Sequence, residues 1–163
     1  IFGSLVIVFF YILLRFQKWQ FSLGAVSAVF HDVLIVLGIF SLTYKIMPFN
    51  MEINQAFIAA LLTVIGYSLN DTVVVFDRIR EFFRIHKSWD NETTVNTALN
   101  STLSRTLNTS LTTLIVLIAI FIFGGESIRG FMFALIIGVM VGTYSSVFIA
   151  TPIMFDSYKK KVS

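Results

Sequence analysis

The sequence predicts an all-α fold, a polytopic membrane helix bundle of five transmembrane helices with one cytoplasmic amphipathic helix. Three observations predict it. The 163 residues carry 12 Lys and Arg and 9 Asp and Glu, where a soluble domain of that length carries roughly 40 charges. Hydrophobic residues make up 56% and aromatics 15%, with a mean hydropathy of +0.85. The apolar residues fall into five runs, each at or near the ~20 residues that cross a ~30 Å hydrocarbon core. A chain this apolar cannot cover a soluble surface, which excludes a cytosolic enzyme and a disordered tail. Without Cys there are no disulfides, Fe–S clusters or thiolate metal sites. A pI near 9.3 would suit nucleic acid. The basic residues lie instead in short clusters between apolar runs, where they orient a membrane protein, and no nucleic-acid partner is expected.

The first span is Ile1–Leu14, short and without an initiator Met, as expected of a span cut short. It is no signal peptide, because Arg15 and Lys18 follow the apolar run instead of preceding it. The second is Leu23–Tyr44, the third about Ile53–Phe76, the fourth Thr106–Phe123 and the fifth Gly130–Ile153. Pro48 lies in a loop and Pro152 at a helix end, so no span is broken in its middle. If the first span runs inward, Arg15, Lys18, Arg78, Arg80, Arg84, Lys87, Arg105, Lys159, Lys160 and Lys161 are inside, and only Lys45 and Arg129 are outside. That asymmetry puts the N-terminus in the periplasm and the C-terminus in the cytoplasm. The cytoplasmic loop Ile79–Leu103 is the only long one. Within it, Asn91 can cap a helix whose first turn carries Glu92. Val95, Ala98, Leu99, Thr102, Leu103 and Thr106 then follow helical spacing into the fourth span.

Small residues four apart in the last span, Ala134, Gly138, Gly142, Ser146 and Ala150, form a stripe along which two backbones can approach closely in lipid. Gly138, Gly142 and Ser146 are its centre. Gly24 and Ala28 do the same in the second span, on the row that continues to Asp32.

Ionisable residues inside spans are costly, and each needs a reason. Ending the third span at Leu69 would leave it 17 residues and put Asp71 in the interface, but Val73–Phe76 would then lie in water. With those four in the membrane, Asp71 is buried, at a cost on the order of 2.5–3.5 kcal/mol, and is a functional residue by default. His31 and Asp32 are adjacent in the second span and so point to different sides of that helix. With two His in the chain and no HExxH there is no expected metal site. Arg105 opens the fourth span, and Asn108, Thr109 and Thr112 share its face. Ser68 and Asp71 share a face of the third span, so the two polar stripes can meet. Asp77/Arg80 and Glu81/Arg84 are i,i+3 pairs on a helix emerging into water.

There is no GxxxxGK[ST] and no Gly-rich turn after a strand, so no nucleotide or other cofactor is expected. Any work done by the buried charges must draw on an ion gradient. An apolar interior disfavours an ionised carboxyl and a nearby guanidinium favours it, so a change in the Asp71–Arg105 distance would load and unload a proton. The expected pathway is Asp71, Arg105, Asp32, Ser68 and Thr109. A passive scaffold and an Asp32/Asp71 aspartyl protease are the chemical alternatives. The second lacks a GxGD sequence, since Gly66 and Asp71 are five apart.

The stretch Gly66-Tyr67-Ser68-Leu69-Asn70-Asp71-Thr72-Val73-Val74-Val75-Phe76-Asp77-Arg78-Ile79-Arg80-Glu81 closely resembles the SecF signature of the SecD/SecF protein-export family. The resemblance continues through His31-Asp32-Val33, Leu103-Ser104-Arg105-Thr106, Thr109-Ser110-Leu111-Thr112-Thr113-Leu114, Gly124-Gly125-Glu126 and Val141-Gly142-Thr143-Tyr144-Ser145-Ser146. It implies a six-span parent whose first span and periplasmic domain are absent here. It also implies a partner, SecD, and an accessory role at the SecYEG channel in the bacterial inner membrane. There the pair uses the proton-motive force to promote preprotein export, with the substrate gripped by the missing domain. In the family the residues matching Asp71 and Arg105 belong to the proton pathway. The architecture also resembles RND-type exporters, whose substrates are small molecules or lipids.

Overall fold

The computed structural model describes residues 2–159, all of them in helices or short connections. The helices are α1 (Phe2–Phe16), α2 (Trp19–Thr43), α3 (Gln55–Ile85), α4 (Asn91–Phe123), α5 (Glu126–Ser145) and α6 (Thr151–Lys159). A five-residue π-helical turn, Ser146–Ala150, joins α5 to α6. The fold is all-helical, as expected. Four helices are long and apolar enough to cross a membrane: α2, α3, α4 and the continuous α5–α6 rod. The apolar helix α1, at 15 residues, is shorter than a full span.

Two differences from the sequence expectation follow from local chemistry. The segment 79–103 is nearly all helix, because α3 runs on to Ile85 and α4 begins at Asn91. At 1.5 Å per residue, α3 and α4 are roughly 46 and 50 Å long, so each projects well beyond a ~30 Å core. The cap of α4 is Asp90, not Asn91: its carboxylate accepts from the Thr93 backbone N–H at 2.9 Å. Pro152 lies at a helix end, as expected, being the second residue of α6, yet it does not break the rod. It has no N–H to give and its ring crowds the carbonyl four residues back. The π turn before it widens the backbone enough to continue, and Thr151 Oγ1 donates to the Ser146 carbonyl at 3.0 Å.

Side chains pack in three apolar clusters, the two larger ones separated along the bundle. One gathers Phe16, Phe21, Ala25, Phe76, Ile79, Val95 and Met154. The other gathers Val36, Phe40, Phe57, Leu61, Val64, Ala134 and Leu135. Between these two lie a small cluster of Leu5, Val29, Val33 and Ile65 and, beside it, buried polar or small residues: Asp32 on α2; Ser68, Asp71 and Thr72 on α3; Gly142 and Ser145 on α5. Ser146, just after α5, is buried with them. Fold and hydropathy thus produce a polar belt across the middle of the bundle.

The belt is closed on one side by close backbone approach. A Cβ on Gly138 would lie 2.0 Å from Val64 Cγ2, and one on Gly142 would lie 3.1 Å from Ser68 Cβ. A Cβ on Gly24 would meet the Ala150 carbonyl oxygen at 2.5 Å. The small residues of α5 therefore face α3, and α2 lies against the π turn. By contrast α4 packs chiefly against α3 and α5. Only 11% of its most apolar stretch is buried, against 44% for α2, 44% for α3 and 50% for the α5–α6 rod.

Candidate functional site

The belt holds two carboxyls in different settings. Asp32 is fully buried. Its Oδ2 accepts from Ser68 Oγ at 2.5 Å and from Ser145 Oγ at 2.7 Å, tying α2 to α3 and α5. Its Oδ1 lies 3.2 Å from His31 Nδ1. The imidazole folds back beside its neighbour instead of pointing away from it, and stays about one-third exposed.

Asp71 is 4% exposed, and its Oδ2 has no hydrogen-bond partner among the described residues. Buried polar atoms are almost always paired, so an orphaned carboxyl oxygen in a membrane helix is a costly arrangement. Thr72 on α3 and Thr106 on α4 also bury unpartnered hydroxyls. Along α3, Asp71 lies between Ser68, which faces α2 and α5, and the row Tyr67, Val74 and Arg78, which faces α4. Two contacts set the antiparallel α3–α4 register: Arg78 Nε donates to Ser101 Oγ at 3.0 Å, and Tyr67 Oη donates to Ser110 Oγ at 3.3 Å. The level of Asp71 falls between them, opposite the turns that carry Arg105 to Thr109. Arg105 is exposed. A cleft of about 360 Å³, lined by Val74, Asp77, Arg78, Glu81, Ser101, Thr102 and Arg105, opens between the two helices at the inner end. It reaches within one turn of Asp71.

Of the five residues expected in a proton pathway, the structure joins Asp32 and Ser68 directly and leaves the others apart. Ser68 serves Asp32 and not Asp71. Thr109 is exposed and donates to its own helix, to the Arg105 carbonyl at 2.9 Å. The stripe Arg105, Asn108, Thr109 and Thr112 is exposed along α4. The face of α4 that packs inward is the row Thr102, Thr106 and Ser110. Ser110 Oγ and Thr143 Oγ1 lie 2.5 Å apart, a link between α4 and α5 that sequence reasoning missed. It also missed Ser145, the neighbour of Ser146 in the small-residue stripe. The only available signal was a hydroxyl at each position on a row bounded by apolar turns.

The expected i,i+3 ion pairs do not form. Asp77 pairs with Arg15 of α1 at 3.0 Å, and Glu81 pairs with Arg78 at 2.6 Å. The end of α1 packs against α3 closely enough to supply Asp77 with a cation that local spacing could not anticipate. Among the described residues there is no group of three His, Cys, Asp or Glu that could hold a metal.

Apolar helices of membrane-crossing length around a buried polar belt define a multi-pass membrane protein whose interior carries ionisable groups. The family model "Protein export membrane protein SecD/SecF, C-terminal" matches residues 1–160, and the chain belongs to this family of the bacterial inner membrane. Protein translocase subunit SecF of Rhodothermus marinus is 60% identical over 156 residues, which are 96% of this chain and 50% of that protein. The SecF subunit of Cereibacter sphaeroides is 51% identical over 144 residues, 88% of this chain and 42% of the relative. The chain therefore spans about half the length of these relatives. A crystal structure of SecDF in a "Super-membrane-facing form" superposes with a TM-score of 0.85 at 39% identity, covering 97% of this chain and 21% of that one.

Proposed function

We propose that this chain is the membrane part of a SecF-like accessory subunit of the Sec translocase, which uses the proton-motive force to promote preprotein export. The observation that carries the reading is Asp71: a buried carboxyl with an unbonded oxygen, beside a polar cleft that opens at one end of the bundle. In this reading Asp71 takes up and releases the proton. Arg105, one helix away, alters the balance as α3 and α4 shift, because a guanidinium that approaches a carboxyl favours its charged form. Asp32, held by Ser68 and Ser145, is the fixed end of the pathway.

The same reading assigns five spans, with α1 as the first, the N-terminus in the periplasm and the C-terminus in the cytoplasm. Arg15, Lys18, Arg78, Arg80 and Arg84 all lie at one end of the bundle, which supports this orientation. SecD is the partner that would cover α4. A polar row on a membrane helix does not face lipid, and Arg105, Asn108, Thr109 and Thr112 have no covering helix among the described residues. SecYEG and the preprotein would be engaged through parts of the full protein beyond this membrane domain.

The test is conductance and export in the full-length complex reconstituted in vesicles. Asp71→Asn is expected to abolish proton-dependent conductance and the export that depends on it, while the complex still assembles. Wild-type conductance with normal export in that variant would remove Asp71 from the mechanism. Arg105→Ala should move the pH dependence of transport, and an unchanged profile would take Arg105 out of the pathway.

A further inference from the structure

A second cavity, of about 600 Å³, lies between the α1–α2 junction, the end of α3 and the end of α6. Its walls are aromatic. Phe16 and Phe21 stack at 5.1 Å between ring centres, and Phe83 and Tyr158 at 5.3 Å. Lys18, Arg80 and Arg84 line it, together with Asp77 and Glu81. Charge bookkeeping decides what it can hold. Asp77 is taken by Arg15 and Glu81 by Arg78, and neither of those arginines lines the cavity. The three lining cations make no ion pair among the described residues. Lys18 Nζ donates to Tyr158 Oη at 3.2 Å and sits over that ring, while Arg80 reaches only the Arg15 carbonyl, at 3.4 Å. The cavity thus presents a net positive rim above an aromatic wall, at the depth where the apolar spans give way to charged helix ends. The chain continues beyond Tyr158 with Lys159-Lys160-Lys161.

We propose that this cavity binds the headgroup phosphate of an anionic phospholipid, with an acyl chain laid against the aromatic wall. Basic pockets between membrane helices at the interface suit such headgroups, and arginine offers a phosphate paired, planar donors. The proposal rests on the chain spanning a bilayer and is independent of the proton chemistry at Asp71. An anchored lipid would tie the ends of α1, α3 and α6 together.

Native mass spectrometry of the full-length protein in detergent, titrated with phosphatidylglycerol, tests it. Retention of phosphatidylglycerol over phosphatidylcholine is expected, falling about fivefold per lost cation and roughly a hundredfold in the K18Q/R80Q/R84Q variant. Arg84→Gln alone changes an exposed side chain and should give the fivefold loss even if the triple variant fails to fold. Undiminished binding in Arg84→Gln, or equal retention of phosphatidylcholine, overturns the proposal. So does displacement of the lipid by millimolar inorganic phosphate, which would make the cavity a site for the free anion. Asp71→Asn should bind phosphatidylglycerol like the wild type, which separates a failed lipid site from a failed proton reading.

Discussion

Around Asp32 the polar belt is closed, and around Asp71 it is open. Asp32 is enclosed by α2, α3 and α5, each of which approaches another through a glycine or serine. Asp71 lies three residues beyond Ser68, next to a helix whose apolar surface is mostly uncovered. The difference teaches that one carboxyl has been spent on fixing three helices while the other has been kept unbonded. Cost and position separate the two: a satisfied buried acid stabilises its neighbours, whereas an unsatisfied one costs stability, which is why the proposed function gives Asp71 and not Asp32 the proton.

The largest effect should come from prying open the closed side. Gly138→Val would drive carbon atoms into Val64, where even a Cβ would come within 2.0 Å. Overpacking of this kind costs about 3 kcal/mol or more, enough to lose the folded protein in detergent thermal unfolding. Val64→Ala should restore much of the loss. Gly38→Ala is the control, because nothing lies within 4 Å of that Cβ, and it should gain about 0.5–1 kcal/mol in helix stability. Equal effects at Gly138 and Gly38 would break the picture of a close α3–α5 seam.

The second test compares the acids directly. Asp32→Ala leaves Ser68 and Ser145 without their shared acceptor, each at about 1–3 kcal/mol, so a loss of roughly 2–4 kcal/mol is expected in denaturation from mixed micelles. Asp32→Asn should cost less, since its carbonyl oxygen can accept from both serines. Asp71→Asn removes no hydrogen bond from Oδ2 and takes a charge out of an apolar interior, so it should not lower stability. If Asp71→Asn destabilised the protein as much as Asp32→Ala, the two carboxyls would not differ in role.

Much of this contrast is readable in the sequence, and some of it is not. Span positions are legible because hydropathy is a local sum, and Asp71 stands out because Val73–Phe76 follow it. The packing face of α4 is not legible. Thr109 and Thr112 satisfy their hydroxyls on carbonyls of their own helix, so a polar residue there no longer reports what it faces. The same ambiguity hides Thr102, Thr106 and Ser110, which do face inward. Long-range partners are equally invisible: local spacing offers Arg80 to Asp77, and only the fold brings Arg15. Asp90 and Asn91 are both good caps one residue apart, and propensity alone cannot choose between them.

A smaller effect should come from the link that holds α4 to the rest. Ser110→Ala removes contacts to both Thr143 and Tyr67. Hydrogen bonds between membrane helices average about 0.6 kcal/mol, so a loss on the order of 1 kcal/mol is expected. In a double-mutant cycle, Tyr67→Phe should add little once Ser110 is gone. Full additivity would mean that the two hydroxyls do not interact.

The smallest effect concerns the inner end of α4. Hydrogen bonding from Thr93, through its hydroxyl and its backbone N–H, holds the Asp90 carboxyl below the usual carboxylate range. A carboxyl lowered in the folded state stabilises at pH values above its unfolded pKa, and that contribution is lost as pH falls through the folded one. Asp90→Ala should therefore speed amide hydrogen exchange over the first turn of α4 at neutral pH, with the bundle's unfolding unchanged. The difference from wild type should vanish as the medium becomes acid enough to protonate Asp90. Identical exchange at neutral pH would mean that Val95 and Ala98, packed in the core, hold this end without help from the cap. The inner half of α4 would then be as fixed as the Asp32 side, and the proposed change in the Asp71–Arg105 distance would have to come from α3.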